Sequence, residues 1–282
     1  MVQLLNGLAF GVLLLILASG LAMIFGLRGI INFAHGALYM FAAYIGLTVT
    51  QYTSYWVALI VTPIGLGILG ILLDRYGVRY LSARGYLDFI LLTFGLTFVL
   101  TGIVQTAWGT QPRAISPPEI LGGSTDVLGS SYPIYRLFVI VVGLAVAGAL
   151  LLWLRRSRIG LHIRASSTHR EVATVVGIDV NRVSATVVGI GTGLAGLAGV
   201  LAGPYLSLSP NMGAEVLILT FIVVVVGGLG SMGGAMIAAI ALGLMNSIAS
   251  VQLPDFAPYV PYALMIVVLL IKPTGIAGTR TA

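Results

Sequence analysis

Seven stretches of this 282-residue chain contain no Asp, Glu, Lys or Arg: residues 1–27, 29–73, 89–112, 137–154, 183–214, 216–254 and 256–271. About 20 apolar residues cross the hydrocarbon core of a bilayer as a helix. Several tracts therefore hold one crossing each, and the longest hold two. Only 8% of the residues are charged and 59% are hydrophobic, against about 25% charged in a soluble domain. That leaves far too little polar surface for a soluble enzyme. The expected fold is all-α: a polytopic transmembrane helical bundle forming one permeable-barrier domain over residues 1–282.

The few charges are clustered, and the clusters set the orientation. Residues 74–88 hold Asp74, Arg75, Arg79, Arg84 and Asp88. Residues 155–182 hold Arg155, Arg156, Arg158, Arg164, Arg170 and Arg182 against Glu171 and Asp179. Arginines flanking short loops resist translocation, so both loops are expected on the cytoplasmic side, as is the tail with Lys272 and Arg280. The net charge of +6 is explained by this bias without invoking nucleic acid. Residues 113–136 are electrically balanced and rich in Pro, Gly and Ser, which suits an external loop. The first tract has no basic residue before it and exceeds a signal-peptide core, so it reads as a retained helix.

These anchors predict helices near 5–26, 33–50, 56–73, 89–110, 137–154, 183–203, 216–229, 234–251 and 258–272. Nine crossings place the start of the chain outside and its end inside. Two segments stop at glycines, at Gly26-Leu27-Arg28-Gly29 and at Gly227-Gly228-Leu229-Gly230-Ser231. Either is a candidate broken or re-entrant helix, so eight full spans is an equal alternative. The two breaks also echo one another, a weak internal repeat of the kind expected around a transport site. Gly189, Gly193, Ala195, Gly199 and Gly203 form a small-residue stripe that lets helices approach closely in lipid, with packing inside the chain favoured over a dimer seam.

In the loop 155–182, Thr168-His169-Arg170-Glu171 fits a capping box. Val172, Ala173, Val175 and Val176 would then form a short apolar face. Gly177 suits a left-handed cap and Asp179 the start of the next helix. Eight residues are marginal as a free helix, so something must pack against it.

Here the residues resemble a known family. Glu171-Val172-Ala173, three residues, then Gly177 is similar to the E-A-A-x3-G core of the cytoplasmic loop in ABC importer permeases, with Val172 in place of the central alanine and no trailing I-x-L-P. The surrounding Gly160-Leu161-His162-Ile163-Arg164-Ala165 and Gly177-Ile178-Asp179-Val180 resemble the branched-chain amino acid permease branch, as do Ile31-Asn32-Phe33-Ala34-His35-Gly36, Leu194-Ala195-Gly196-Leu197-Ala198-Gly199 and Val226-Gly227-Gly228-Leu229-Gly230-Ser231. The ordered set covers nearly the whole chain and looks like the shorter of two paralogous permeases. The resemblance implies a multi-pass inner-membrane subunit of an ATP-driven importer. It implies a second permease subunit (a paralogue or a second copy), two cytoplasmic ATPase subunits and an extracytoplasmic substrate-binding protein as partners. It also implies that Arg164, Ala165, Thr168, Glu171, Ala173, Gly177 and Asp179 belong to the ATPase-coupling loop. The family's cargo ranges from branched-chain amino acids to urea, amides and aromatic acids.

No GxxxxGK[ST] phosphate loop occurs, so no cofactor is expected on this chain and ATP is expected to act through the partners. The three histidines are too scattered for a metal site, and the lack of cysteine removes thiolate chemistry. Asn32, His35 and Tyr39 share one helical face at the first break, and Thr93, Thr97, Thr101 and Gln105 form a second polar stripe. Both are candidate pathway residues, because polar groups inside a membrane face protein or water. The alternatives are interhelical hydrogen bonding for the first set, with Asn32 capping a helix, and threonines bonded to their own i−4 carbonyls for the second. Glu215 is read as complementing a helix start. A channel or an ion-coupled secondary transporter is the competing class; it calls for a filter, a charged ring or mid-span acidic groups, and the sequence shows none.

Overall fold

The computed structural model describes residues 1–81, 85–127 and 129–278; Arg84 and Arg280, used above to orient the chain, lie outside them. Twelve α-helices are described: α1 (Val2–Arg28), α2 (Ala34–Tyr52), α3 (Tyr55–Leu73), α4 (Arg79–Leu81), α5 (Tyr86–Trp108), α6 (Ile134–Arg156), α7 (Arg158–Thr168), α8 (Arg170–Val175), α9 (Val180–Ala202), α10 (Met212–Gly227), α11 (Met232–Gln252) and α12 (Val260–Ile271). A π-helical turn, Asp74–Val78, joins α3 to α4.

All nine sequence-derived segments are helices, displaced at their ends by a few residues. The number able to cross a membrane by length and composition is smaller than the eight or nine expected: six, in α1, α3 with its π-turn, α5, α6, α9 and α11. The shortfall has local causes. Residues 203–211 turn without helix and leave α10 with 16 residues. The segment around Pro254 is used in turns, which leaves α12 with 12. The helix α2 is long enough, but His35, Tyr39, Tyr44 and Gln51 lower its apolarity. It is buried along most of its length between α3, α5, α9 and α10.

Burial sorts the long helices into two groups. The central spans are α1 and α9, with 83% and 72% of their apolar windows buried, whereas α3 and α5 bury 22%. Lipid is as apolar as leucine, so close backbone contact rather than apolar burial must hold the centre together. The glycines supply it. Gly189 meets Gly67 and Ile71, Gly193 meets Pro63, and Gly199 meets the backbone of Tyr39 and Ala43. The small-residue stripe thus packs within the chain.

The loop expected to be external holds an element the sequence reading lacked, an antiparallel pair of β1 (Ser124–Val127) and β2 (Ser130–Pro133). At the same end, Arg136 donates to Asn6 Oδ1. Arg28, Asp74, α7, α8 and residues 272–278 lie at the other. Cysteines placed in this Cys-free chain at the exposed positions Ser124 and Val175 are therefore expected to label from opposite sides. An impermeant maleimide on intact cells should reach 124 and miss 175; the reverse pattern would invert the topology.

Candidate functional site

The first glycine break is a true junction. At Gly29 (φ 66) the left-handed conformation ends α1, its N–H bonding Phe25 O. Residues 29–33 are non-helical, and α2 starts at Ala34. His35 fixes its depth: Nε2 donates to Leu17 O at 3.0 Å, and a Cβ on Gly20 would meet the His35 ring. Leu17 is 11 residues from Arg28, roughly 16 Å at 1.5 Å per residue. The N-terminus of α2 therefore sits near mid-membrane, reached by non-helical backbone that is tolerated in a bilayer only within protein or beside water.

This segment divides two cavities. One, of about 70 Å³, is lined by Arg28, Asn32 and Thr93 among apolar residues such as Leu38, Phe89 and Leu96. The other, of about 300 Å³, is almost wholly apolar, with Ile31, Phe33, Phe94, Leu217 and Phe221 in its wall together with Thr97. Asn32 lines the first cavity, whereas its neighbours Ile31 and Phe33 line the second. The predicted residues Asn32, Thr93 and Thr97 are thus brought together on either side of one segment. Asn32 Oδ1 also accepts from Ala34 N at 3.1 Å, a local turn bond ahead of α2, whose N-cap is Phe33 and carries no side-chain cap. Thr93 and Thr97 bond the carbonyls of Ile90 and Thr93, and Thr97 also donates to Phe33 O at 3.3 Å.

The remaining members of the two stripes lie elsewhere. His35 is fully buried against α1, and Tyr39 lies in the main core cluster. Thr101 is half-buried and lines neither cavity, and Gln105 is exposed.

Below the first cavity is a cluster that the sequence reading missed. Arg28 donates to Asp74 Oδ1 and to Ser184 Oγ, and Ser184 Oγ donates to Asp74 Oδ1 at 3.0 Å. Asp74 is fully buried. These residues tie the end of α1, the π-turn and the start of α9 together at the end of the bundle that carries α7 and α8. The sequence shows Arg28 and Asp74 only as the two charges bounding the long tract 29–73, which does not pair them.

The loop helix is confirmed in place and corrected in detail. No capping box forms. Thr168 belongs to α7 and donates to Arg164 O at 2.9 Å, and α8 begins after His169 with no side-chain cap. The reason is that α7, unforeseen from sequence, runs through Thr168 and takes its hydroxyl for an i−4 bond. The other end matches expectation: Gly177 is left-handed (φ 87), and Gly177 N and Ile178 N bond Thr174 O and Ala173 O, a Schellman closure. Asp179 accepts from Asn181 N and Arg182 N and caps α9. Arg164 straps α7 to α6 through the Leu154 carbonyl, and Ala165 O receives His169 N. Ala173 is buried, but Val172, Val175 and Val176 are 59%, 87% and 69% exposed, and Glu171 is exposed too.

A bundle of apolar helices with a polar-edged junction at mid-depth defines a multi-pass membrane transport subunit rather than a soluble binder. The family described as the branched-chain amino acid transport system permease component matches residues 3–269, and the chain belongs to it. It is 31% identical to the high-affinity branched-chain amino acid transport permease LivH of Salmonella typhimurium, over 98% of this chain and 94% of that protein. Identity to BraD of Pseudomonas aeruginosa, named for the same system, is 30% over 98% and 95%. Among solved structures, PsaBC from Streptococcus pneumoniae in complex with Fab aligns with a TM-score of 0.50 at 12% identity, covering 95% of this chain and 91% of that one, a likeness of fold alone.

Proposed function

We propose that this chain forms part of the translocation pathway of an ATP-driven importer for branched-chain amino acids. It acts with a second permease subunit, two cytoplasmic ATPase subunits and an external binding protein. Asn32, Thr93 and Thr97 border the route, and α8 with Glu171, Ala173 and Gly177 is where ATPase motion enters. The relatives' names support the cargo.

The observation that carries the reading is the surface of α8. Its one buried residue, Ala173, seats it on its own chain, while Val172, Val175 and the following Val176 are exposed. Exposed aliphatic residues grouped together suit an interaction site, and the arginines of the loop support a position on the ATPase side. Replacing Val175 and Val176 together by Asp is expected to abolish ATP-driven uptake while leaving membrane insertion and thermal stability unchanged, since neither side chain packs internally. Uptake at the wild-type rate in proteoliposomes would refute the assignment.

A further inference from the structure

Where α6 runs into α7, two arginines line a cavity shared with α1 and α11. It measures about 280 Å³, near the low end of the range for small-molecule sites. Leu27 of α1, Leu151 of α6 and Met232 of α11 supply apolar lining, and Arg155 of α6 and Arg164 of α7 supply charge. Among the described residues no acidic side chain lines it.

The depth of this cavity follows from the helix ends. Leu27 and Arg155 each lie one residue before the end of their helix, Arg28 for α1 and Arg156 for α6. With 23 residues, α6 is roughly 35 Å long at 1.5 Å per residue, against about 30 Å of hydrocarbon. Its last residues therefore reach the headgroup layer. Leu151, one helical turn before Arg155, shares its face and lies at the level of the acyl chains. Charge and apolar surface are thus ordered along the membrane normal as they are in a phospholipid.

The two guanidiniums are also unclaimed by carboxylates. The ion pairs among the described residues are Arg28 with Asp74 and Arg182 with Asp179, and neither Arg155 nor Arg164 belongs to one. Arg164 donates to the Leu154 carbonyl, which holds its guanidinium in place with further N–H groups available. Arginine suits phosphate through its planar set of donors, and basic pockets between membrane helices bind acidic head groups.

We infer that this cavity is a binding site for an acidic phospholipid, its phosphate pairing with Arg155 and Arg164 and its first acyl carbons lying along Leu27, Leu151 and Met232. A zwitterionic headgroup brings an ammonium for which the described lining holds no carboxylate, so the site favours net negative charge. The bound lipid joins α6, α7 and α11 at the membrane surface and steadies the loop that carries α8.

The test titrates the full-length subunit, purified in non-ionic detergent, with phosphatidylglycerol, with phosphatidylcholine and with soluble glycerol 3-phosphate. Native mass spectrometry reads the bound adducts. One tight phosphatidylglycerol per subunit is expected, with the other two probes at least tenfold weaker. Arg155→Gln should weaken that site about fivefold, the typical contribution of one basic residue at an anionic membrane surface, and Arg155→Lys should retain most of it. Arg156→Gln removes the same charge next door but outside the cavity lining, and should leave the tight site unchanged. Gly233→Leu fills the cavity without altering its charge, since Gly233 lines it and a Cβ there meets nothing within 4 Å; it should fold and lose the tight site. Equal weakening by Arg156→Gln would make the effect diffuse surface charge and overturn the site, as would unchanged binding by Gly233→Leu. Equal affinity for phosphatidylcholine would overturn the preference for acidic lipid. Equal affinity for glycerol 3-phosphate would make the ligand a soluble phosphate and overturn the lipid assignment.

Discussion

Replacing Asp74 by alanine is expected to cost about 3–5 kcal/mol of stability, the usual penalty for leaving one partner of a buried ion pair uncompensated. Asp74 is fully buried and Arg28 nearly so, and Ser184 bonds the same carboxylate oxygen. Deleting the carboxylate removes the negative charge that Arg28 faces where α1, the π-turn and α9 meet. The double variant Arg28→Leu, Asp74→Leu removes both charges and should recover most of the loss, because replacing a buried pair by apolar groups is often neutral. Thermal unfolding of the purified subunit separates the two. Equal destabilisation by the single and double variants would mean that the pair's charge is not what matters there.

A comparable effect is expected at the crossing of α2 and α10. With the Gly36 Cβ position 2.1 Å from Gly213 O and 2.7 Å from Leu217 Cβ, Gly36→Val cannot be accommodated by side-chain movement alone. Backbone would have to separate. Overpacking of this kind costs about 1–3 kcal/mol, more when the obstacle is rigid, and here it also opens the wall of the apolar cavity. Gly102 on α5 is the control, since a Cβ there meets nothing within 4 Å; Gly102→Ala should be silent. Yield of folded subunit after detergent extraction measures both, and a well-folded Gly36→Val would show that α2 and α10 are free to part.

Helix positions were legible because apolar tracts and arginine clusters obey a one-dimensional rule. Segment ends from Val2–Arg28 to Val260–Ile271 followed from it within a few residues. Depth was only partly legible. The glycine stop at 227–230 marked α10 as a candidate re-entrant helix, but the height at which it starts had no mark in the sequence. Tertiary pairing was equally hidden. His35 and Tyr39 share a face with Asn32, yet neighbouring helices claim His35 for the Leu17 carbonyl and Tyr39 for the core. The capping box failed for a local reason, the extension of α7 through Thr168. Arg28 and Asp74 are 46 residues apart, and only folding reveals them as partners.

The central claim is that this chain moves solute only when an ATPase drives it. The most direct measurement is uptake of labelled leucine by proteoliposomes containing this subunit, its partner permease, the ATPases and the binding protein, with ATP or a non-hydrolysable analogue enclosed. The account predicts uptake that requires hydrolysis and the binding protein together, and that disappears when residues 168–177 are deleted. Uptake that proceeds with the analogue, or that survives the deletion, would contradict it.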